Sequence, residues 1–210
     1  MIIEVCAESY EYAIKAEKAG ADRIELCRDL CLDGLAPDYE SAKKTIDKLS
    51  IPVFILIRPR EGDFIYSNEE FELMKSDIVK FKEMGCKGIV SGILNDNNSI
   101  DMKRTKQLVE LSRPLEFTFH RAFDIVTHPL KELEKLIELG VDRVLTSGQK
   151  NKAIDGLELL KKLKNISKNR IKIMPGSGIK RSNIPNFKSF DEIHGSFKKE
   201  LNTLVAVAKG

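Results

Sequence analysis

One short phrase occurs three times in this chain and constrains its fold more than any other feature. It reads AGADRIEL at residues 19–26, MGCKGIVS at 84–91 and LGVDRVLT at 139–146. Each copy is typical of the end of an amphipathic helix, a glycine that terminates it and a short apolar strand. The glycines lie 65 and 55 residues apart, about twice the length of one strand–helix unit. The spacing predicts strands and helices that alternate along the chain.

The apolar runs between these helices predict eight strands. They cover residues 2–6, 23–26, 53–57, 88–91, 115–119, 143–146, 171–174 and 191–194. The second helix is expected to begin near Pro37, and the one after the seventh strand has room for barely two turns. Residues 197–208 are expected to supply the eighth helix, although they also have strand character, and the C-terminal end is short. The pattern predicts a single-domain (β/α)8 TIM barrel over residues 1–210, with an open doubly wound sheet as the alternative.

Composition excludes several classes of function. The chain of 210 residues is 42% hydrophobic and 32% charged, as in ordinary soluble proteins. Its net charge of +3 comes from interspersed Lys and Glu, so no nucleic-acid surface is expected. No apolar run approaches the roughly 20 residues of a membrane span. The first residues already form a strand, so no signal peptide is expected, and four cysteines without secretory context predict reduced thiols and a cytoplasmic location.

A (β/α)8 barrel carries its chemistry at the carboxyl ends of the strands. There the sequence predicts a ring of polar and ionisable side chains. Ion pairs that plug the barrel mouth are the alternative, but a set of this size favours a functional pocket. The ring consists of Glu4, Cys6, Glu25, Cys27, Arg58, Arg60, Ser91, His120, Arg121, Thr146, Ser147, residues 176–178, His194 and Ser196.

Two Glu-x-Cys pairs end the first two strands. Because strand side chains alternate, Glu4 shares a face with Cys6, and Glu25 with Cys27. The two carboxylates are candidates for a catalytic acid/base pair or a divalent-metal site, or else they form ion pairs with arginines inside the barrel.

The cysteines themselves end strands about 4.8 Å apart, which suits a soft ion such as Cu(I). Buried space-filling is the alternative for Cys6 and Cys27. Cys31 is a candidate third ligand, whereas Cys86 lies at the opposite end of the barrel and is expected to be structural.

An anion site is predicted on the other strands. Arg58 and Arg60 follow the third strand, and guanidinium groups suit carboxylates and phosphates. Across the barrel, Gly176, Ser177, Gly178 and Ser196 follow the seventh and eighth strands, where barrel enzymes commonly bind phosphate. A simple tight turn is the alternative for the two glycines.

His120 ends the fifth strand, four residues before Asp124. This pair predicts a general base held in one tautomer by a carboxylate; a hydrogen-bonded rim residue is the alternative. Ser147 is expected to add hydroxyl contacts to a ligand.

These residues belong to longer motifs through which the chain resembles the CutC family of copper homeostasis proteins. The matching motifs are EVC at 4–6, GADRIELC at 20–27, IRPR at 57–60 with GDF at 62–64, YS at 66–67, TFHRAFD at 118–124, LTSGQ at 145–149, and Ile173, Met174, Gly176 and Gly178. The resemblance implies a cytosolic (β/α)8 barrel, usually oligomeric, with copper ligands at Cys6 and Cys27. The loop 28–34, Glu61 at a common glycine position and the short C-terminal segment depart from the family pattern.

The sequence supports two functions of different classes. One is copper homeostasis with Cu(I) held by the two thiols. The other is an enzyme of lyase, isomerase or hydrolase type that acts by acid/base chemistry on a small anionic molecule, phosphorylated compounds included. A partner-binding scaffold is a third alternative.

Overall fold

The computed structural model describes residues 1–196, which form a ring of eight parallel strands. The strands are β1 (Ile2–Ala7), β2 (Arg23–Leu26), β3 (Val53–Leu56), β4 (Gly88–Ser91), β5 (Glu116–Phe119), β6 (Arg143–Thr146), β7 (Lys172–Pro175) and β8 (Glu192–Gly195). Their order in the sheet is β7-β6-β5-β4-β3-β2-β1-β8. A parallel bridge from Gly176 to His194 joins the two ends. The sheet is therefore a nearly closed (β/α)8 barrel, and the open-sheet alternative is wrong.

Helices connect the strands on the outside of the barrel. They are α1 (Tyr10–Lys18), α2 (Tyr39–Lys48), α3 (Asn68–Glu83), α4 (Met102–Ser112), α5 (Pro129–Glu138) and α6 (Leu157–Ser167). Short 3-10 helices lie at Leu30–Leu32, Arg121–Ile125 and Ile184–Phe187. No helix of the described part is long and apolar enough to cross a membrane.

Most helix boundaries follow the local signals. Ser67 and Glu70 form the predicted capping box of α3, and Pro129 opens α5. α2 begins at Tyr39, two residues after Pro37, because the Asp38 side chain accepts a hydrogen bond from the Ser41 amide and thereby caps the helix. Only a single 3-10 turn follows β7, and the expected eighth helix lies outside the described residues.

The lower half of the barrel interior, near the amino ends of the strands, is filled by a buried ion-pair network. Arg23 pairs with Glu4 at 2.5 Å and with Glu192 at 2.7 Å. Arg143, which has no exposed surface, also pairs with Glu192. The guanidinium groups of Arg23 and Arg143 lie over the ring of Phe54, at 4.7 and 5.4 Å from its centroid. The barrel is thus closed below, and any ligand enters from the carboxyl ends.

A glycine makes room for this network. The nearest atoms to a Cβ built on Gly88 in β4 would be those of the Phe54 ring, at 2.5 Å. Only glycine lets β4 approach the aromatic ring that the two arginines enclose.

Candidate functional site

A cavity of about 750 Å³ opens at the carboxyl ends of the strands, within the range of small-molecule sites. It collects side chains from β1, β2, β3, β6 and β8 and from the segments that follow β2, β3, β5 and β7. The lining residues are Cys6, Glu25, Leu30, Asp33, Leu56, Arg58, Phe64, His120, Arg121, Asp124, Ile125, Leu145, Ser177, Gly178, Ile179, Lys180, His194, Gly195 and Ser196.

One wall of the cavity carries a cluster of three different donors. The strand register places Cys6 opposite Glu25 and Glu4 opposite both Arg23 and His194. The Cys6 Sγ lies 3.5 Å from the Glu25 Oε1. One donor atom each from Cys6, Glu25 and His194 lie within 4.8 Å of one another, and all three residues are buried.

Glu4 lies beneath this cluster and does not line the cavity. Its carboxylate pairs with Arg23 and, at 2.8 Å, with the Nδ1 of His194. Burial raises the pKa of Glu4, but Arg23, His194 and Arg143 together lower it to about 2. Glu4 is therefore ionised and orients His194, while Glu25 alone of the two predicted carboxylates faces the cavity.

The pKa values of the remaining groups of the cluster are all shifted upward. Burial, followed by the charge of Glu4, raises the pKa of Glu25. Burial lowers the pKa of His194, but Glu25 and Glu4 outweigh it and the net shift is upward. The hydrogen bond to Cys27, burial and the nearby Glu25 all raise the pKa of the Cys6 thiol well above its usual value. Glu25 and His194 thus form adjacent acid and base groups with altered proton affinity.

Cys27 contacts the cluster from behind the cavity wall. Its Sγ lies 3.5 Å from the Cys6 Sγ and donates to the Ala7 carbonyl at 3.5 Å. It is 1% exposed and packs with Cys6, Phe54, Leu56 and Val90. Cys31 is exposed and unpaired, and Cys86 is buried before β4. The two predicted thiols are therefore neighbours, but only Cys6 lines the cavity.

His120 faces the cavity as a neutral donor. Its Nδ1 accepts a hydrogen bond from the Ala122 amide at 3.2 Å, so the proton is on Nε2. That Nε2 is buried and has no hydrogen-bond partner among the described residues. Burial, followed by the charges of Arg58 and Arg121, lowers the pKa of His120 to about 3.

Asp124 and His120 have different hydrogen-bond partners and do not form the predicted pair. It accepts hydrogen bonds from the Thr146 hydroxyl at 2.5 Å and the Ser147 amide at 2.9 Å, and it pairs with Arg121 at 2.8 Å. The Ser147 hydroxyl also donates to Asp124, at 2.9 Å, and Ser147 does not line the cavity. Asp124 thus organises the loop after β6, although the aspartate itself reaches the cavity.

The two predicted arginines have different surroundings. Arg58 is buried, lines the cavity and donates to the carbonyls of Leu32 and Gly34 at 2.8 and 2.9 Å. Its Nε has no hydrogen-bond partner, and no carboxylate of the described residues pairs with it. Arg60 pairs with Asp63 and Glu70 and lies outside the cavity lining.

The loops after β7 and β8 supply the opposite wall. Ser177, Gly178 and Ser196 line the cavity, whereas Gly176 forms the closing bridge behind it. Ser177 and Gly178 have φ values of +78° and +67°, so the loop needs left-handed backbone at both positions. Lys180 joins them on the wall.

Comparison with known proteins identifies the family. The family model described as CutC family matches residues 1–199. This chain belongs to the CutC family. It is 45% identical over 196 residues to a family protein CutC from Photorhabdus laumondii, covering 92% of this chain and 79% of that protein. It is 46% identical over 183 residues to the human copper homeostasis protein cutC homolog, covering 87% of this chain and 67% of the human protein.

Solved structures agree with this membership. A CutC structure from Streptococcus agalactiae superposes with a TM-score of 0.88 at 32% identity, covering 93% of this chain and 98% of that one. A phosphonopyruvate hydrolase superposes with a TM-score of 0.66 at 12% identity, covering 100% of this chain and 80% of that one; this likeness concerns the fold alone. The CutC resemblance and the barrel predicted from sequence are confirmed, and copper homeostasis appears in the name of the human relative.

Sequence reasoning missed several residues that shape this CutC cavity. It included His194 in the ring of strand ends but gave it no role in the site. Phe64, whose ring centroid lies 4.8 Å from that of His120, enters the sequence analysis only as part of the GDF motif. Lys180 is not among the predicted site residues. Both lie in loops, where no periodic pattern indicates which side chain turns inward. For His194 the sequence does contain a signal. It ends the eighth predicted strand, which must pair with β1 in a closed barrel and therefore lies beside the ends of β1 and β2.

Proposed function

We propose that this CutC-family protein is an enzyme that binds a small anionic molecule in the cavity and moves a proton on it. The observation that carries the proposal is buried Arg58, which has no acidic partner among the described residues, on the same cavity wall as the unpartnered Nε2 of His120. A buried charge without a counter-ion is costly. A carboxylate or phosphate of a ligand supplies that counter-ion.

The groups around Arg58 also suit an anionic ligand. The Nε2–H of His120 is a neutral hydrogen-bond donor, suited to a carbonyl or developing oxyanion because it carries no competing charge. Lys180 adds positive charge at the cavity wall, where Arg121 is paired with Asp124. The backbone of Ser177 and Gly178 forms the opposite side, as the sequence predicted for an anion site.

Glu25 and His194 are the groups that transfer the proton in this proposal. Glu25 faces the cavity with its Oε2 free of hydrogen bonds, so it is the candidate general base. His194, held by Glu4, is the candidate general acid. Adjacent groups with altered pKa values are what lyases, isomerases and hydrolases use for such steps. Asp124 acts as a positioning residue, through Arg121 and the loop after β6.

The test measures binding first and proton transfer second. Phosphate and small carboxylates are titrated calorimetrically into wild type, Arg58→Lys and the control Arg60→Met, whose side chain lies outside the cavity lining. We expect Arg58→Lys to weaken binding at least tenfold and Arg60→Met to leave it unchanged.

A panel of phosphorylated and carboxylated carbonyl compounds is then incubated in D2O and followed by NMR. Deuterium incorporation that depends on Glu25 and is lost in Glu25→Gln supports the enzyme. If no anion binds and no compound exchanges faster with wild type than with Glu25→Gln, the proposal is wrong.

Copper binding by Cys6 and Cys27 is the second candidate function. Two observations favour it: the sulfurs lie 3.5 Å apart, and the human relative is named a copper homeostasis protein. Two metal–sulfur bonds of about 2.3 Å span such a gap. The thiols are buried together, which protects a soft ion from water.

A competition titration of the reduced protein with Cu(I) against a high-affinity chelator tests this candidate. Tight binding of one ion, lost in Cys6→Ser/Cys27→Ser and retained in Cys86→Ser, supports it. Binding no stronger than that of the double variant contradicts it.

Location and assembly extend the proposal. A cytoplasmic location is supported by four cysteines that are all unpaired, and a homo-oligomer by the family resemblance. The absence of a nucleic-acid partner is inferred from the interspersed charges. Light scattering of the purified protein measures the assembly directly; a monomer at micromolar concentration would contradict the oligomer.

A further inference from the structure

We infer that Cys6, Glu25 and His194 form a three-ligand site for a divalent transition-metal ion of the zinc class, with Glu4 as the residue that orients His194. The three ligands come from β1, β2 and β8, which are neighbours in the barrel. This site uses one thiol, so it differs from a copper site made of Cys6 and Cys27.

The spacing of the donors suits a tetrahedral ion. Bonds of about 2.3 Å to sulfur and about 2.1 Å to oxygen, meeting at a tetrahedral angle, separate the two donors by about 3.6 Å. The Cys6 Sγ and the Glu25 Oε1 are 3.5 Å apart. Every pair of donors in the cluster lies within 4.8 Å, so small side-chain rotations bring all three into a common shell.

An unpartnered buried oxygen in the cluster points to a missing ligand. The Oε2 of Glu25 is buried, without a hydrogen-bond partner among the described residues, and the residue is 5% exposed. An unsatisfied buried carboxylate oxygen is unfavourable unless a proton or a cation occupies it. The Glu25 Oε2 is therefore a donor atom that is free to take a cation beside Cys6 and His194.

Glu4 and His194 supply the support that metal-bound histidines commonly have. The Nδ1 of His194 lies 2.8 Å from the Glu4 carboxylate, which leaves Nε2 as the nitrogen for an ion. A carboxylate on the second ring nitrogen fixes the tautomer and ring orientation of a ligand histidine. Arg23 anchors Glu4 from below, so the orientation is set by the barrel floor.

The donor set selects the class of ion. Cu(I) favours soft sulfur ligands, whereas one sulfur, one imidazole and one carboxylate suit zinc and its neighbours. Three protein ligands with a fourth position open to a cavity are typical of catalytic zinc sites. Here Cys6, Glu25 and His194 all line the cavity, so a bound water or ligand oxygen has access to the fourth position.

This inference deepens the proposed function, because it names a cofactor for the same cavity. Binding of the ion is independent of the proposed function, and only the role of the ion in catalysis rests on it. On binding, the Cys6 thiol proton and every proton held by Glu25 or by the Nε2 of His194 would pass to solvent. Cys6, Glu25 and His194 would then hold the ion, and the ion would supply a bound water of lowered pKa as a base. Binding of the ion is measured without turnover.

The experiment titrates metal-free, reduced protein with Co²⁺, followed by displacement with Zn²⁺. We expect one ion per chain, visible bands of tetrahedral cobalt and a sulfur-to-cobalt charge-transfer band in the near ultraviolet. Cys6→Ser removes the charge-transfer band and lowers affinity at least tenfold. Cys27→Ser, the matched control on the neighbouring sulfur, retains both the band and the affinity.

Two further variants guard against misfolding of the cysteine variants. Glu25→Gln and Glu4→Gln preserve side-chain size, and circular dichroism confirms their fold. Glu25→Gln is expected to weaken cobalt binding at least tenfold with the charge-transfer band retained at saturation. Glu4→Gln is expected to weaken it about 10- to 100-fold, as outer-shell variants do.

Several outcomes overturn the site. Absence of cobalt binding, a charge-transfer band that survives Cys6→Ser, or equal losses in Cys6→Ser and Cys27→Ser each contradict it, and the last assigns a two-thiol site instead. Phosphate titration of the metal-free protein separates this result from the proposed function. Phosphate binding without cobalt binding supports the anion site and contradicts the metal site. Cobalt binding without phosphate binding supports the metal site and contradicts the anion site.

Discussion

Arg143 is a fully buried member of the ion-pair network at the barrel floor. It has no exposed surface and pairs with Glu192 and with Glu116, the latter at 2.9 Å. Arg143→Met leaves buried Glu192 short of a partner, and removing one member of a buried pair typically costs about 3 to 5 kcal/mol. We expect a loss of this size in the free energy of unfolding measured in urea.

The control is Arg170→Met, which breaks an exposed pair with Glu134 at 2.6 Å. Surface pairs contribute below about 1 kcal/mol. Equal losses in the two variants would show that the interior network adds nothing beyond ordinary charge pairing.

Acid sensitivity is also decided by single residues. Arginine partners, outweighing burial, lower the pKa values of Glu4 and Glu192 from 4.5 to about 2. The folded protein therefore binds fewer protons than the unfolded chain, so the stabilisation is present above pH 4.5 and is lost as pH falls toward 2. Each unit of pKa difference corresponds to about 1.4 kcal/mol. We expect urea midpoints to fall steeply between about pH 5 and 3, and less steeply in Glu4→Gln; parallel slopes would contradict this.

At the scale of the element, α3 begins at a capping box. The Ser67 hydroxyl accepts from the Glu70 amide at 3.2 Å, and the Glu70 carboxylate accepts from the Ser67 amide at 2.7 Å. Ser67→Ala removes one of these bonds and should cost about 1 kcal/mol. The same change at Ser76, which is exposed in the middle of α3, should be neutral or slightly stabilising because alanine favours helix. Thermal unfolding of both variants tests this, and similar shifts would argue against the cap.

The strands were predictable from sequence, but the register between neighbouring strands was not. Each of the eight strands was predicted with its ends within about one residue, because buried parallel strands are short apolar runs between helix signals. Alternation also correctly put Glu4 on the same face as Cys6. The partner of each carboxylate depends instead on the register of β1 against β2, which puts Glu4 beside Arg23 and Glu25 beside Cys6. Local sequence does not encode that register, so the sequence pairs Glu4 with Glu25, whereas the structure brings Glu25 and His194 together at the cavity.

At the scale of the whole molecule, the barrel has a seam. Seven neighbouring strand pairs form ladders, whereas β7 and β8 share one bridge, Gly176 to His194. The candidate site spans this seam, because Ser177 and Gly178 follow β7 while His194 and Ser196 belong to the β8 side. A ligand in the cavity therefore joins the two edges of the sheet from above.

This geometry predicts where a bound anion changes hydrogen exchange. Saturating phosphate, at about 100 times its Kd, stabilises a binding-competent closed form by about 2.7 kcal/mol. Amides that exchange through opening of the seam should then exchange up to about 100-fold more slowly. Mass spectrometry should detect this in peptides covering 172–180 and 192–196, with little change in α4. Equal slowing of exchange throughout the barrel would contradict this prediction, because it would mean that the seam opens only when the whole molecule unfolds. The cavity would then be a rigid site rather than one that ligand binding closes.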